Sequence, residues 1–212
     1  MGTGNYRMNL DILKSGWYSL WTQHTLFYSN FFYAPLIGIY CAYLWRVENF
    51  NHNRNSLMTA PVSVGCIYLA KLLNVFWITL LTQLWVGILY LICGKIVGLE
   101  GMPPITILYW LLRGAWGGMS VAALLLLLAM LIRSFAVPVA IGLLGGISGL
   151  LIFSAGYGIY YPFSLMVMGM NSNQYEDILS GSGMEFIFFA TGYVFLLCII
   201  GIRWLSTKDV KA

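Results

Sequence analysis

Unbroken apolar runs decide what this chain can fold into. Ala122 to Ala129 reads AALLLLLA without a polar residue. Barrel strands alternate apolar and polar positions, so continuous runs of this kind belong to helices. Five such segments are expected to span, at residues 24–45, 63–93, 105–132, 136–160 and 184–204, against the ~20 residues a crossing helix needs. Hydrophobic residues make up 60% of the 212 and charged residues 8%, so the solvent is a bilayer. The expected fold is an all-α polytopic membrane protein, a single transmembrane domain over residues 1–212.

The charges set an expected orientation. One side collects Arg46, Arg54, Arg133, Arg203, Lys208 and Lys211, with Glu48 and Asp209. The other collects Arg7, Lys14 and Lys95, with Asp11, Glu100, Glu176, Asp177 and Glu185. The basic side reads as cytoplasmic, which puts the C-terminus inside. The net charge of +4 is then an orientation signal and implies no nucleic acid. Lys71 is expected to snorkel near the inner end of an overlong second span. Trp17, Trp21, Trp110, Trp116, Tyr157, Tyr160 and Tyr161 mark the outer boundary, and Trp45 and Trp204 the inner one. Trp77 and Trp85 lie deeper and read as packing residues. With five spans the N-terminus falls outside, an awkward start without a signal sequence. The alternative is an upstream helix not contained in these residues.

Chemistry is sparse. Gly94-Lys95 lacks the rest of a phosphate-cradling G-x-x-x-x-G-K-[ST]. No carboxylate pair sits within a span, which disfavours an ion-coupled carrier. His24 and His52 are isolated. Cys41, Cys66, Cys93 and Cys198 sit in apolar segments at no metal or redox spacing and read as small packing residues. No cofactor or metal is expected on this chain, which is not an enzyme.

Four features stand out. The polar island Arg46–Pro61 (RVENFNHNRNSLMTAP) joins two spans. It is either a plain solvated loop or a short amphipathic helix that docks on a soluble partner, with Leu57 and Met58 as anchors, Glu48 and Arg54 as charges, and Pro61 in the first turn of the next span. Gly142, Gly145, Gly146 and Gly149 share one helix face and suit close packing, inside the subunit or between subunits. Arg113 either reaches headgroups or faces a polar cavity. The outer stretch 162–185 is a re-entrant or interfacial connector, or a contact for a cationic amphipathic peptide. In the second case Met166, Met168 and Met170 would meet its apolar face and Glu176, Asp177 and Glu185 its charge.

The island also resembles a known motif. Glu48, then Leu57-Met58-Thr59-Ala60-Pro61-Val62-Ser63, then Tyr68-Leu69-Ala70-Lys71 is similar to the acidic residue, L-x-x-x-P-[VI]-S and Y-x-A-K of type-2 ABC transporter permeases. The ending RWLSTKDV resembles their basic tail. WYSLW…FFYAPL and Arg133-Ser134-Phe135-Ala136-Val137-Pro138 resemble the lantibiotic-immunity permeases of Gram-positive bacteria. The resemblance implies a multi-pass subunit of a bacterial cell membrane. Its coupling helix, matched here by Glu48, Asn55, Ser56, Leu57, Met58 and Thr59, would dock on cytoplasmic ABC ATPase subunits, which carry the ATP and Mg. A second permease chain would complete the pathway, and the substrate would be an antimicrobial peptide. The family has six spans; this chain has five. Rival readings are a membrane sensor or scaffold using the same loop, and an ion-coupled carrier.

Overall fold

The computed structural model describes residues 16–49, 62–132, 134–174 and 176–209. These are helices and short turns, with no strand among the described residues. The order is α1 (Gly16–Phe27), a π-helical segment (Tyr28–Tyr33), α2 (Ala34–Asn49), α3 (Val64–Ile96), α4 (Ile105–Leu131), α5 (Ala136–Ser154), a 3₁₀ turn (Gly158–Tyr160), α6 (Pro162–Gly169) and α7 (Gly183–Asp209). Four helices, α3, α4, α5 and α7, are long and apolar enough to cross a membrane.

The first expected span is built differently. α1, the π segment and α2 follow one another without a gap from Gly16 to Asn49, so the helix begins before residue 24. It also carries polar residues. They turn inward or back on their own helix: the hydroxyls of Thr25 and Ser29 donate to Trp21 O at 2.8 Å and Thr25 O at 2.7 Å. Pro35 has no N–H to give to a carbonyl a turn earlier, and the helix widens just before it.

α4 is the centre. Of its apolar window 72% is buried, against 22–28% for the other three, and α2, α3, α6 and α7 all pack on it. Its small residues allow this. A Cβ on Gly117 would sit 2.5 Å from Leu165 O, and one on Gly118 2.7 Å from the Tyr33 hydroxyl. α3 is 33 residues long, about 50 Å, and exceeds a hydrocarbon core of about 30 Å. It starts at Val64, three residues beyond Pro61, and its cap is Ser63, whose hydroxyl accepts from Cys66 N at 3.3 Å. Its inward stripe holds Tyr68, Lys71, Leu72, Val75, Thr79, Gln83 and Tyr90. Its exposed positions are mostly apolar, with Asn74 and Lys95 as polar exceptions.

Four expected packing residues, Trp77, Trp85, Cys66 and Cys93, are exposed instead. Trp77 and Trp85 are each 59% exposed and face outward, because the polar stripe claims the inner face of α3. Trp17, Trp21, Trp45 and Trp110 are buried. Each indole N–H finds a partner inside, such as Met170 O for Trp21 at 3.0 Å and Leu126 O for Trp45 at 3.1 Å. Cys41 and Cys198 are buried, but Cys66 and Cys93 are exposed. The fourth span ends at Ser154 rather than 160, where the chain turns back on itself. The stretch 162–185 opens with α6, buried over its whole length.

Candidate functional site

Glu48 lies in the last turn of α2, at the threshold of the polar island. Its carboxylate pairs with Lys71 of α3. Lys71 also donates to Leu44 O at 3.1 Å and lies 4.8 Å over the Trp45 ring. The side chains are only 9% and 15% exposed for Lys71 and Glu48. Lys71 therefore does not snorkel: the carboxylate, the carbonyl and the indole face hold it in. Glu48 is turned into the bundle, and its Oε2 has no hydrogen-bond partner among the described residues. Three residues before Lys71, Tyr68 packs on α7, where a Cβ on Gly201 would come 2.5 Å from its ring. Arg46 sits 5.7 Å from the Phe135 ring before α5. This end of the bundle thus ties α2, α3 and α7 together at the point where the island departs. Arg54, Asn55, Ser56, Leu57, Met58 and Thr59 lie outside the described residues, as do Pro61 and Arg133.

The opposite end holds the second cluster. Arg113 of α4 grips Asp177 with both nitrogens, Nη1 to Oδ2 at 3.0 Å and Nη2 to Oδ1 at 2.9 Å. Its Nε donates to Gly169 O at 3.3 Å, and its guanidinium lies 4.8 Å over the Tyr109 ring. Asp177 also accepts from Trp110 Nε1 at 3.3 Å and Leu179 N at 3.0 Å. Burial pushes the Asp177 carboxyl up, but the bonds from Arg113, Leu179 and Trp110 outweigh it and hold the carboxyl below its usual range. Arg113 is held as one half of a clasp. Asn171, at φ 50°, accepts from Ile178 N at 3.0 Å. Asn tolerates that left-handed backbone better than most residues.

The expected thioether surface is not presented. Met166 and Met170 are fully buried and Met168 is 9% exposed, since α6 is wedged between α4 and α5. Glu176 and Glu185 are exposed. Beside the clasp is a cavity of about 700 Å³, lined by Tyr109, Trp116, Met184 and Ile187 among others, with Arg113 and Asp177 on its wall.

The glycine face of α5 serves contacts inside the chain. A Cβ on Gly146 would sit 2.1 Å from Asn30 O, and one on Gly142 2.8 Å from Ala34 O. Gly145 and Gly149 give the same close approach to Phe163 of α6. The sequence reading missed the partner of Lys71 and the pairing of Arg113 with Asp177, 64 residues apart. The Y-x-A-K spacing was the one available signal for the first. No local signal exists for the second.

A helical bundle with apolar outward faces and ion pairs at its two ends defines a polytopic membrane protein. The chain matches the model of the ABC-2 family transporter protein over residues 2–149. That is well over half of its length, so the protein belongs to this family of membrane transport subunits. The family in general works with an ATPase partner and as pairs of membrane subunits. No curated protein and no solved structure matches the chain.

Proposed function

We propose that this subunit is driven by a separate cytoplasmic ATPase, which binds ATP and Mg and pushes on the Arg46–Pro61 island. The observation that carries this reading is the buried Glu48–Lys71 pair. It fastens the two helices flanking the island to each other, and Tyr68 on Gly201 adds α7. A push there moves a body of three helices rather than a free loop. Glu48 is on this reading a positioning residue, and docking falls to Arg54, Asn55, Ser56, Leu57, Met58 and Thr59.

A second permease chain completes the pathway. The substrate is an antimicrobial peptide or a similar cationic amphipathic molecule, expelled from the membrane of a bacterial cell, as in lantibiotic immunity. Asp177 is engaged by Arg113, so attraction of a cationic peptide falls to Glu176 and Glu185. Attraction by exposed charges raises local concentration and weakens with salt.

The test places cysteines at Asn51 and Asn55 in a background lacking the exposed Cys66 and Cys93. Impermeant thiol reagents should label them in inside-out vesicles, and a co-expressed ATPase subunit should protect them. Labelling in intact cells would remove the coupling role.

A further inference from the structure

The π segment and α3 bring together a set of buried, uncharged polar groups, with the His24 ring stacked on Tyr28 at 5.3 Å. Tyr33, Thr79 and Gln83 are 0%, 0% and 1% exposed, and Tyr28 is 8% exposed. Among the described residues, the hydroxyls of Tyr28, Tyr33 and Thr79 and the Oε1 of Gln83 make no hydrogen bond of ordinary geometry, although the Gln83 side chain lies close to the Tyr33 hydroxyl. This is not the habit of the chain. Thr82 turns back on Ile78 O at 2.8 Å and Asn74 on Ala70 O at 2.9 Å, the usual resort of such side chains in a helix. Thr79, on the same helix, does not.

The groups are neighbours. In an α-helix residues five apart point about 140° apart, whereas i→i+5 bonding brings them onto one face. Tyr28 and Tyr33 accordingly stack, with ring centroids 5.3 Å apart and planes at 28°. The Tyr33 hydroxyl lies against Gly118 of α4, and Gln83 Nε2 against Gly114, one turn earlier. Gln83 Nε2 also touches Met170 Sδ at 3.4 Å. Thr79 precedes Gln83 by one turn of α3.

We propose that Tyr33, Gln83 and Thr79, with Tyr28 beside them, form an internal hydration site that holds ordered water at the junction of the π segment, α3 and α4. Buried hydroxyls and amides in an apolar medium require partners. The set is neutral and mixes donors with acceptors, which suits water rather than an ion. The walls exclude anything much larger. A Cβ on Gly114 would already meet Met170 at 2.2 Å, and the cavity beside Arg113 is lined by other residues. Water held beside a widened helical turn supplies replacement hydrogen bonds when that turn shifts, so the site makes the first helix adjustable where it crosses α4.

The test is X-ray hydroxyl-radical footprinting of the full chain in nanodiscs, after rapid mixing into heavy-oxygen water. Held water generates radicals in place, so Tyr33 and Met170 should be modified despite their burial. Their label should take up heavy oxygen more slowly than exposed Tyr109 or Tyr157 does. No modification at Tyr33 and Met170, or uptake as fast as at Tyr109, overturns the proposal. In parallel, Tyr33→Phe/Thr79→Val/Gln83→Met should abolish the Met170 signal and lower Tm by about 3–8 °C. An unchanged or raised Tm would show that these polar atoms hold nothing, which also overturns it. If the triple variant does not fold, the wild-type footprint decides alone.

Discussion

Lys71 and Glu48 show how one ion pair sets the geometry at the mouth of the polar island. Removing one partner of a buried pair leaves an uncompensated charge, whereas replacing both is far less damaging. Glu48→Gln or Lys71→Met alone should cost about 3–5 kcal/mol, and Glu48→Gln/Lys71→Met together less than either. Thermal unfolding of the three variants in detergent reads this double-mutant cycle. Additive losses would mean that the pair does not couple.

The Arg113–Asp177 clasp is more exposed, with the Asp177 side chain 33% accessible. Solvent screening reduces its worth, and Arg113→Gln should cost about 1–2 kcal/mol, between the surface and buried limits. Its pH dependence has a definite sign. The folded carboxyl sits lower than its unfolded value of about 3.9, so the stabilisation is present above that pH and is lost as pH falls through the folded value. The Tm difference between wild type and Arg113→Gln should be flat from pH 5 to pH 8 and shrink below about pH 4. A difference that already declines at about pH 6 would point to another group.

At the scale of elements, α5 and α6 test close packing. Gly146→Ala would drive a methyl into Asn30 O, a backbone atom that cannot swing aside. It should separate α5 from the π segment and cost about 1–3 kcal/mol. Gly192 of α7 has nothing within 4 Å of an added Cβ. Gly192→Ala should therefore be neutral or slightly stabilising, through helix propensity of about 1 kcal/mol at most. Thermal unfolding of the two alanine variants separates packing from propensity. Existence and type of α3, α4, α5 and α7 were legible from their apolar runs. The expected span 24–45 falls within the continuous α1, π and α2 stretch, but the π widening was not legible, because hydropathy carries no hydrogen-bond register. The short α6 was hidden for a related reason: eight residues are too few for a span, and only its position between α4 and α5 makes it core.

For the whole molecule, the outward faces of α3 and α7 are largely apolar and exposed, with Trp77, Trp85, Phe188 and Phe195 each more than half accessible. They meet lipid or a second membrane subunit. Replacing the exposed Glu176 and Glu185 with Gln should leave folding intact and raise sensitivity to a cationic peptide modestly, most at low ionic strength. The readout is survival across a peptide dilution series at two salt levels. An unchanged inhibitory concentration at both would remove these carboxylates from the mechanism and leave membership of the family untouched.

The sequence by itself determined the solvent, the helical class, the long spans of α3, α4, α5 and α7 among the five expected, and the motif that places Glu48 ahead of Tyr68 and Lys71. Those follow from local composition and spacing, which act along the chain. Only the tertiary structure decided that Lys71 is paired rather than snorkelling, that Asp177 is clasped by Arg113, that the methionines of α6 are core, and that Trp77 and Trp85 face outward. Each of these depends on which helix lies alongside. Partners such as Trp21 and Met170 O, 149 residues apart, meet only through packing on α4.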